Sequence, residues 1–118
     1  MANISWSFPL RTVSEMNCSQ HWGDKSARHK KQKLKVKTVL KKGIGNVTLP
    51  CHIKLTRLSA GKMDYDNLCA SQKYVVDAIC ELLIPGLATG RADGDERIKV
   101  SYYQEKARKH SIKVEIEY

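Results

Sequence analysis

NVTLPCHIKLTRLSAGKMDYDNLCASQKYVVDAICELLIPG, residues 46–86, changes its hydrophobic period halfway along. Val47, Leu49, Cys51, Ile53 and Leu55 alternate with polar neighbours, which predicts a strand within 46–59. Pro50 inside that pattern points to an edge position or a bulge, because proline cannot donate to a ladder. From Asn67 onward Leu68, Val75, Ile79, Leu82 and Leu83 share one face of a helix predicted over about 67–84, stopped by Pro85-Gly86. The junction between them, GKMDYDNL (61–68), holds Asp64 and Asp66. Two ordinary readings are a helix cap and a turn. A third is a pair of carboxylates that share a divalent cation.

Outward from this unit the elements are shorter. In NISWSF (3–8) Ile4, Trp6 and Phe8 alternate with serines, as in a half-buried strand. KSARHKKQKLKVKTVLKK (25–42) is rich in helix formers and is read as a basic helix over about 25–41, stopped by Gly43 and Gly45. Its thin apolar stripe is Ala27, Leu34 and Leu40. Its like charges disfavour an isolated helix, so full order is expected against a partner. GLATGRADGDE (86–96) is an acidic, glycine-rich loop. Ile98, Val100 and Tyr102, then Ile112, Val114, Ile116 and Tyr118, give two closing strands, and the short link at Arg108–His110 predicts a hairpin. The expectation is one α+β domain over 1–118, order β-α-β-α-β-β, with a mixed four-stranded sheet and two helices.

At 118 residues the chain can bury one core. No apolar run approaches the roughly 18 residues of a membrane helix, and MANISWSFPL lacks the basic and apolar regions of a secretory signal. The four cysteines, Cys18, Cys51, Cys69 and Cys80, are accordingly expected as reduced thiols in a cytoplasmic protein. Cys18-x-x-His21 has zinc-ligand spacing, but the other adjacent pair, Cys51-His52, would point to opposite faces of a strand. The formal charge is +9, and Lys25–Lys42 carries nine basic and no acidic side chains. The rest of the chain is formally neutral. Lys25, Arg28, Lys30, Lys31, Lys33, Lys35 and Lys37 are therefore candidate contacts to a polyanion such as DNA.

The acids cluster separately, from Asp64 to Glu96. Two carboxylates at i, i+2 on extended chain project to one side and repel, and a cation relieves the repulsion. All-oxygen ligation suits Mg²⁺ or Mn²⁺. On a continuous helix Asp66, Lys73 and Asp77 fall within about 20° of one line, which would bring Lys73 to the metal side. An i, i+4 Lys73–Asp77 ion pair is the plainer alternative. Asp93 and Asp95 return two more carboxylates where the next strand begins, although an aspartate beside glycine is ordinarily turn chemistry.

The succession Asp64-x-Asp66-Asn67-Leu68, Gln72-Lys73, Asp77-Ala78 and Asp95 before Ile98 resembles the RusA family of Holliday-junction resolvases. SEMNCSQHW, with Asn17, His21 and Trp22 ahead of a basic helix, is similar to its phage members. The resemblance spans nearly the whole chain. It implies a homodimeric, Mg²⁺- or Mn²⁺-dependent endodeoxyribonuclease of bacteria and prophages that makes paired nicks in four-way junctions during recombination and repair. It further implies Asp64, Asp66 and Asp95 as metal-binding catalytic carboxylates and Lys73 as the catalytic lysine, without a small-molecule cofactor. The lysine follows the second aspartate by seven residues where the family usually has four, as if Cys69-Ala70-Ser71 were inserted. The family's paired aspartates are here split as Asp93-Gly94-Asp95; counting back from Ile98 favours Asp95, with Asp93 as the alternative ligand. Two other functions share these residues. One is a structure-selective nuclease for forks or flaps; the other is a non-catalytic basic DNA-binding module.

Overall fold

A computed structural model describes residues 2–13, 22–85 and 95–118. It contains β1 (Asn3–Phe8), α1 (Trp22–Leu40), a 3₁₀ turn (Ile44–Asn46), β2 (Cys51–Ser59), α2 (Tyr65–Ser71), α3 (Lys73–Leu83), β3 (Ile98–Lys106) and β4 (Ser111–Glu117). The four strands form one mixed sheet in the order β1-β4-β2-β3. β2 is central, parallel to β3 and antiparallel to β4, and β4 is also antiparallel to β1. The α+β domain expected from the sequence is thus present, with three helices in place of two.

Register explains the core. Rows across the inner face read Ile4, Ile116, Ile53, Val100, then Trp6, Val114, Leu55, Tyr102. Ile53, Leu55, Val114 and Ile116 are buried, while the alternate positions Lys54, Lys113 and Glu115 keep exposure. Val36 and Leu40 of α1 and Val75, Val76, Ala78 and Ile79 of α3 complete the same core. Fully burying each Val, Leu or Ile contributes about 1.5–3 kcal/mol.

Three expectations are corrected. Pro50 lies ahead of β2, after a cis Leu49–Pro50 bond, and β2 is a central strand, so the proline marks neither an edge nor a bulge. The closing strands do not form a hairpin. The chain from β3 to β4 crosses the end of β2, where Ala107 N donates to Ser59 O at 2.9 Å and His110 Nδ1 lies 3.1 Å from Ser59 Oγ. The predicted helix over 67–84 is two helices broken at Gln72 (φ −98°, ψ 0°). Gln72 is buried, its amide donates to Thr12 Oγ1 at 3.1 Å, and Ser71 Oγ turns back to Leu68 O at 2.7 Å. These polar side chains compete with the helical ladder at that point.

α1 also departs from its predicted stripe. Leu34 is 67% exposed and Ala27 is exposed too, whereas Leu40 is buried as expected, together with Gln32 and Val36. Beyond the helix, Gly43 (φ 97°) is left-handed and caps the 3₁₀ turn, and Trp6 Nε1 donates to Lys42 O at 3.1 Å, tying the segment after α1 to β1. A Cβ on Gly43 would lie 2.6 Å from Ile4 Cδ1, whereas one on Gly45 would meet nothing within 4 Å. Gly43→Ala should therefore cost more than about 1 kcal/mol, read as a lower urea midpoint, and Gly45→Ala should stay near the parent.

Candidate nucleic-acid and metal site

The inner face of the sheet turns polar in the row Phe8, Ile112, Arg57, Gln104. Those last two side chains hold the linker from β2 to α2. Arg57 Nη1 donates to Gly61 O at 3.1 Å. Gln104 clamps Met63 on both sides: its Oε1 accepts from Met63 N at 3.0 Å and its Nε2 donates to Met63 O at 2.6 Å. A side-chain amide here takes the place of a strand's peptide group and fixes the chain one residue before Asp64. Nothing in the local pattern of β3 marks Gln104 for this task.

Asp64 is the N-cap of α2. Its Oδ1 accepts from Asn67 N and Asn67 Nδ2, both at 2.9 Å, and its Oδ2 accepts from Asn67 Nδ2 at 3.0 Å. The helix starts at Tyr65, so Met63–Asp66 is not extended, and the carboxylates are not presented by strand alternation. Asp66 instead lies in the first helical turn, exposed, where the helix dipole favours its charge. Tyr65 between them is 61% exposed and meets Tyr102 edge to face, with centroids 6.4 Å apart.

The break at Gln72 separates Asp66, on α2, from Lys73 and Asp77, which remain one turn apart on α3. Lys73 opens α3, exposed, whereas Asp77 is buried. Lys73 lines a pocket of about 400 Å³ whose opposite wall is Ile98, Val100 and Tyr102 of β3.

Asp95 stands apart from the first pair. Cys51 N donates to Arg97 O at 2.9 Å, so Asp95 lies at the entry of β3, beside the start of β2. Met63 is tied to Gln104, six residues along β3 from Ile98, or about 20 Å. Met63, one residue before Asp64, is thus anchored toward one end of β3, and Asp95 lies at the other. Asp95 Oδ1 accepts from Arg97 N and Nε, both at 2.9 Å, and its Oδ2 pairs with Arg97 Nη2 at 2.8 Å. Among the described residues no three His, Cys, Asp or Glu side chains converge as metal ligands. Asp93, Asn17, Cys18 and His21 lie outside the described residues.

The basic helix divides its charge among faces. Lys33 and Lys37 reach Glu81 of α3, at 2.8 and 2.9 Å. Burial pushes the Glu81 carboxyl up, and the two lysines outweigh it and hold it below its ordinary value. His29 stacks on Tyr74 of α3, centroids 3.7 Å apart. Arg28, Lys31 and Lys35 face the other way, onto a groove of about 660 Å³ shared with Arg11 after β1. Lys30 is exposed and Lys25 half-buried. Arg11 belongs to this basic surface although it lies outside the lysine run, with no charge pattern of its own to signal it. Among the described residues no helix is long and apolar enough to cross a membrane.

The Arg97 hydrogen bonds hold the Asp95 carboxyl down, from 3.8 to about 2. A depressed carboxylate stabilises the fold above its unfolded pKa, and that contribution disappears as pH falls from about 4 toward 2. NMR titration should place Asp95 near 2, and Arg97→Gln should return it toward the ordinary aspartate range.

No protein-family model matches the chain, and no curated protein matches it significantly.

Proposed function

We propose that the chain is a divalent-metal-dependent endodeoxyribonuclease that makes paired nicks in four-way DNA junctions, acting as a homodimer in recombination and repair in a bacterial or phage-infected cell. The observation that carries this is a clamped helix start bearing two acids, the cap Asp64 and the first-turn Asp66, in a chain whose cationic excess is on a different element. A polyanion would be repelled by that pair unless a cation neutralised it.

Two carboxylates suffice for the group implied. Mg²⁺ keeps several waters and is commonly held by one or two carboxylates together with substrate phosphate. Asp64 and Asp66 would hold it, and bound there it would supply a water of lowered pKa and neutralise phosphate charge. Asp64 keeps Asn67 as its orienting partner, which fixes the carboxylate's direction. Lys73 brings a positive charge over the neighbouring pocket, placed to meet a phosphate. Asp95, held by Arg97 at the far end of β3, positions that guanidinium. Arg28, Lys31 and Lys35 attract the backbone, whereas Lys33 and Lys37 join α1 to α3 through Glu81. Two copies related by a twofold axis would present two sites to the near-twofold junction.

A non-catalytic DNA-binding module is favoured by a separate observation: Asp64 caps a helix and Asp95 pairs with Arg97, so each has a structural task. Incubating an end-labelled four-way junction and a matched duplex with protein in Mg²⁺, Mn²⁺ or EDTA separates the two. Metal-dependent paired nicks confined to the junction are expected, with Asp66→Asn lowering cleavage at least about a hundredfold while binding in EDTA persists. Binding without cleavage in any metal would establish the binding module instead.

The lysines give an independent test. Lys31→Gln and Lys35→Gln should each weaken DNA binding and reduce the log–log salt slope by about 1, with an unchanged denaturation midpoint. Lys33→Gln and Lys37→Gln should lower stability by up to about 1 kcal/mol and leave the salt slope nearly as it was.

A further inference from the structure

Gln32 lies on the groove side of α1 and is 2% exposed, and neither its amide oxygen nor its amide nitrogen has a hydrogen-bond partner among the described residues. A buried amide left unpaired on both atoms is costly, and natural folds rarely keep one without a use. The groove it lines also carries Pro9, Leu10 and Ala27 as apolar wall and Arg11, Lys31 and Lys35 as cations, with Asp24 as its acid. Arg57 adds to the positive character nearby. Its burial lowers its pKa, and the charge of Arg11 lowers it further.

We propose that this groove receives one unpaired nucleobase of bound DNA, the base edge on the Gln32 amide and the flanking phosphates on Arg11, Lys31 and Lys35. The proposal rests on DNA being the partner, as argued above, and needs no metal. A phosphate alone is a poor occupant: it offers acceptors, which would satisfy Nε2 and leave Oε1 unpaired. A nucleobase sets a donor and an acceptor side by side on its pairing edge, the complement of a side-chain amide. Its ring suits the Pro9, Leu10 and Ala27 wall, and about 660 Å³ lies within the usual range for small-ligand pockets. Base pairing uses up that edge, and Gln32 is recessed, so the groove selects a nucleotide already out of the duplex, as at a branch point or an open end.

Fluorescence anisotropy in EDTA tests this with labelled single-stranded 12-mers, one bearing bases and one abasic throughout. The parent protein should bind the base-bearing strand about tenfold more tightly. Gln32→Met should abolish that difference and raise the thermal midpoint, because an apolar side chain of similar shape relieves the unpaired amide. Arg11→Gln should weaken both strands alike and preserve the difference. Equal binding of the two strands by the parent, or a difference that survives Gln32→Met, overturns the proposal. So does a Gln32→Met protein that loses stability or fails to fold, since the amide would then be serving the fold itself. Discrimination in EDTA by a protein that never cleaves would sink the nuclease function alone; cleavage by a protein blind to bases would sink the pocket alone.

Discussion

Parallel pairing of β2 with β3 is the constraint from which the rest of the arrangement follows. Parallel neighbours cannot be joined by a tight turn, so the chain leaving β2 must travel back the length of the sheet before entering β3. α2 and α3 make that return. Whatever the sequence places at the start of the crossover is thereby delivered to one end of β3, and whatever it places at the finish to the other. Asp64 and Asp66 begin the crossover and Asp95 completes it.

The same constraint decides how charge is used on α1. α3 is buried over most of its surface, with Val75, Val76, Ala78, Ile79 and Cys80 all nearly inaccessible. Its partly exposed acid, Glu81, needs a cation close by, and Lys33 and Lys37 supply two. A lysine run that looks uniform in sequence therefore has a face that serves the fold and a face turned to the groove with Arg11. Helical phase sorts them: Lys33 and Lys37 lie about 40° apart, as do Lys31 and Lys35, and the two pairs point in widely different directions.

Much of this was legible from alternation and composition. β1, β2 and β4 follow their apolar periods closely, and the glycines after the basic helix mark its end. Strand order was not legible, because the short Arg108–His110 link is as compatible with a hop over β2 as with a hairpin. The choice is made by burial. β4 alternates Ile112, Val114 and Ile116 inward and is covered on both edges, whereas β3 carries Tyr103, Glu105 and Lys106 exposed and lies at the sheet's margin. At the candidate site the Asp-Tyr-Asp-Asn pattern predicted either a cap or a ligand pair, and the cap is present at Asp64. Arg97, the partner of Asp95, lies only two residues on in sequence, yet nothing in the pattern distinguished a turn aspartate from a ligand.

The break at Gln72 shows why helical phase alone cannot place Lys73. Residues 69–71 would carry a continuous helix through about 300°, turning any later side chain away from its expected direction. The chain instead stops α2 at Ser71 and starts α3 at Lys73, so the phase of a continuous helix does not carry across Gln72 unaltered. That restart is held by Gln72, whose buried amide is bonded to Thr12, sixty residues earlier. Lys73 is thus aimed by a contact between the crossover and the segment after β1. The same segment carries Arg11 onto the basic groove. One stretch of three residues, Leu10 to Thr12, therefore contributes to both the groove beside α1 and the anchor beneath Lys73, and strain or loosening there would reach the two together.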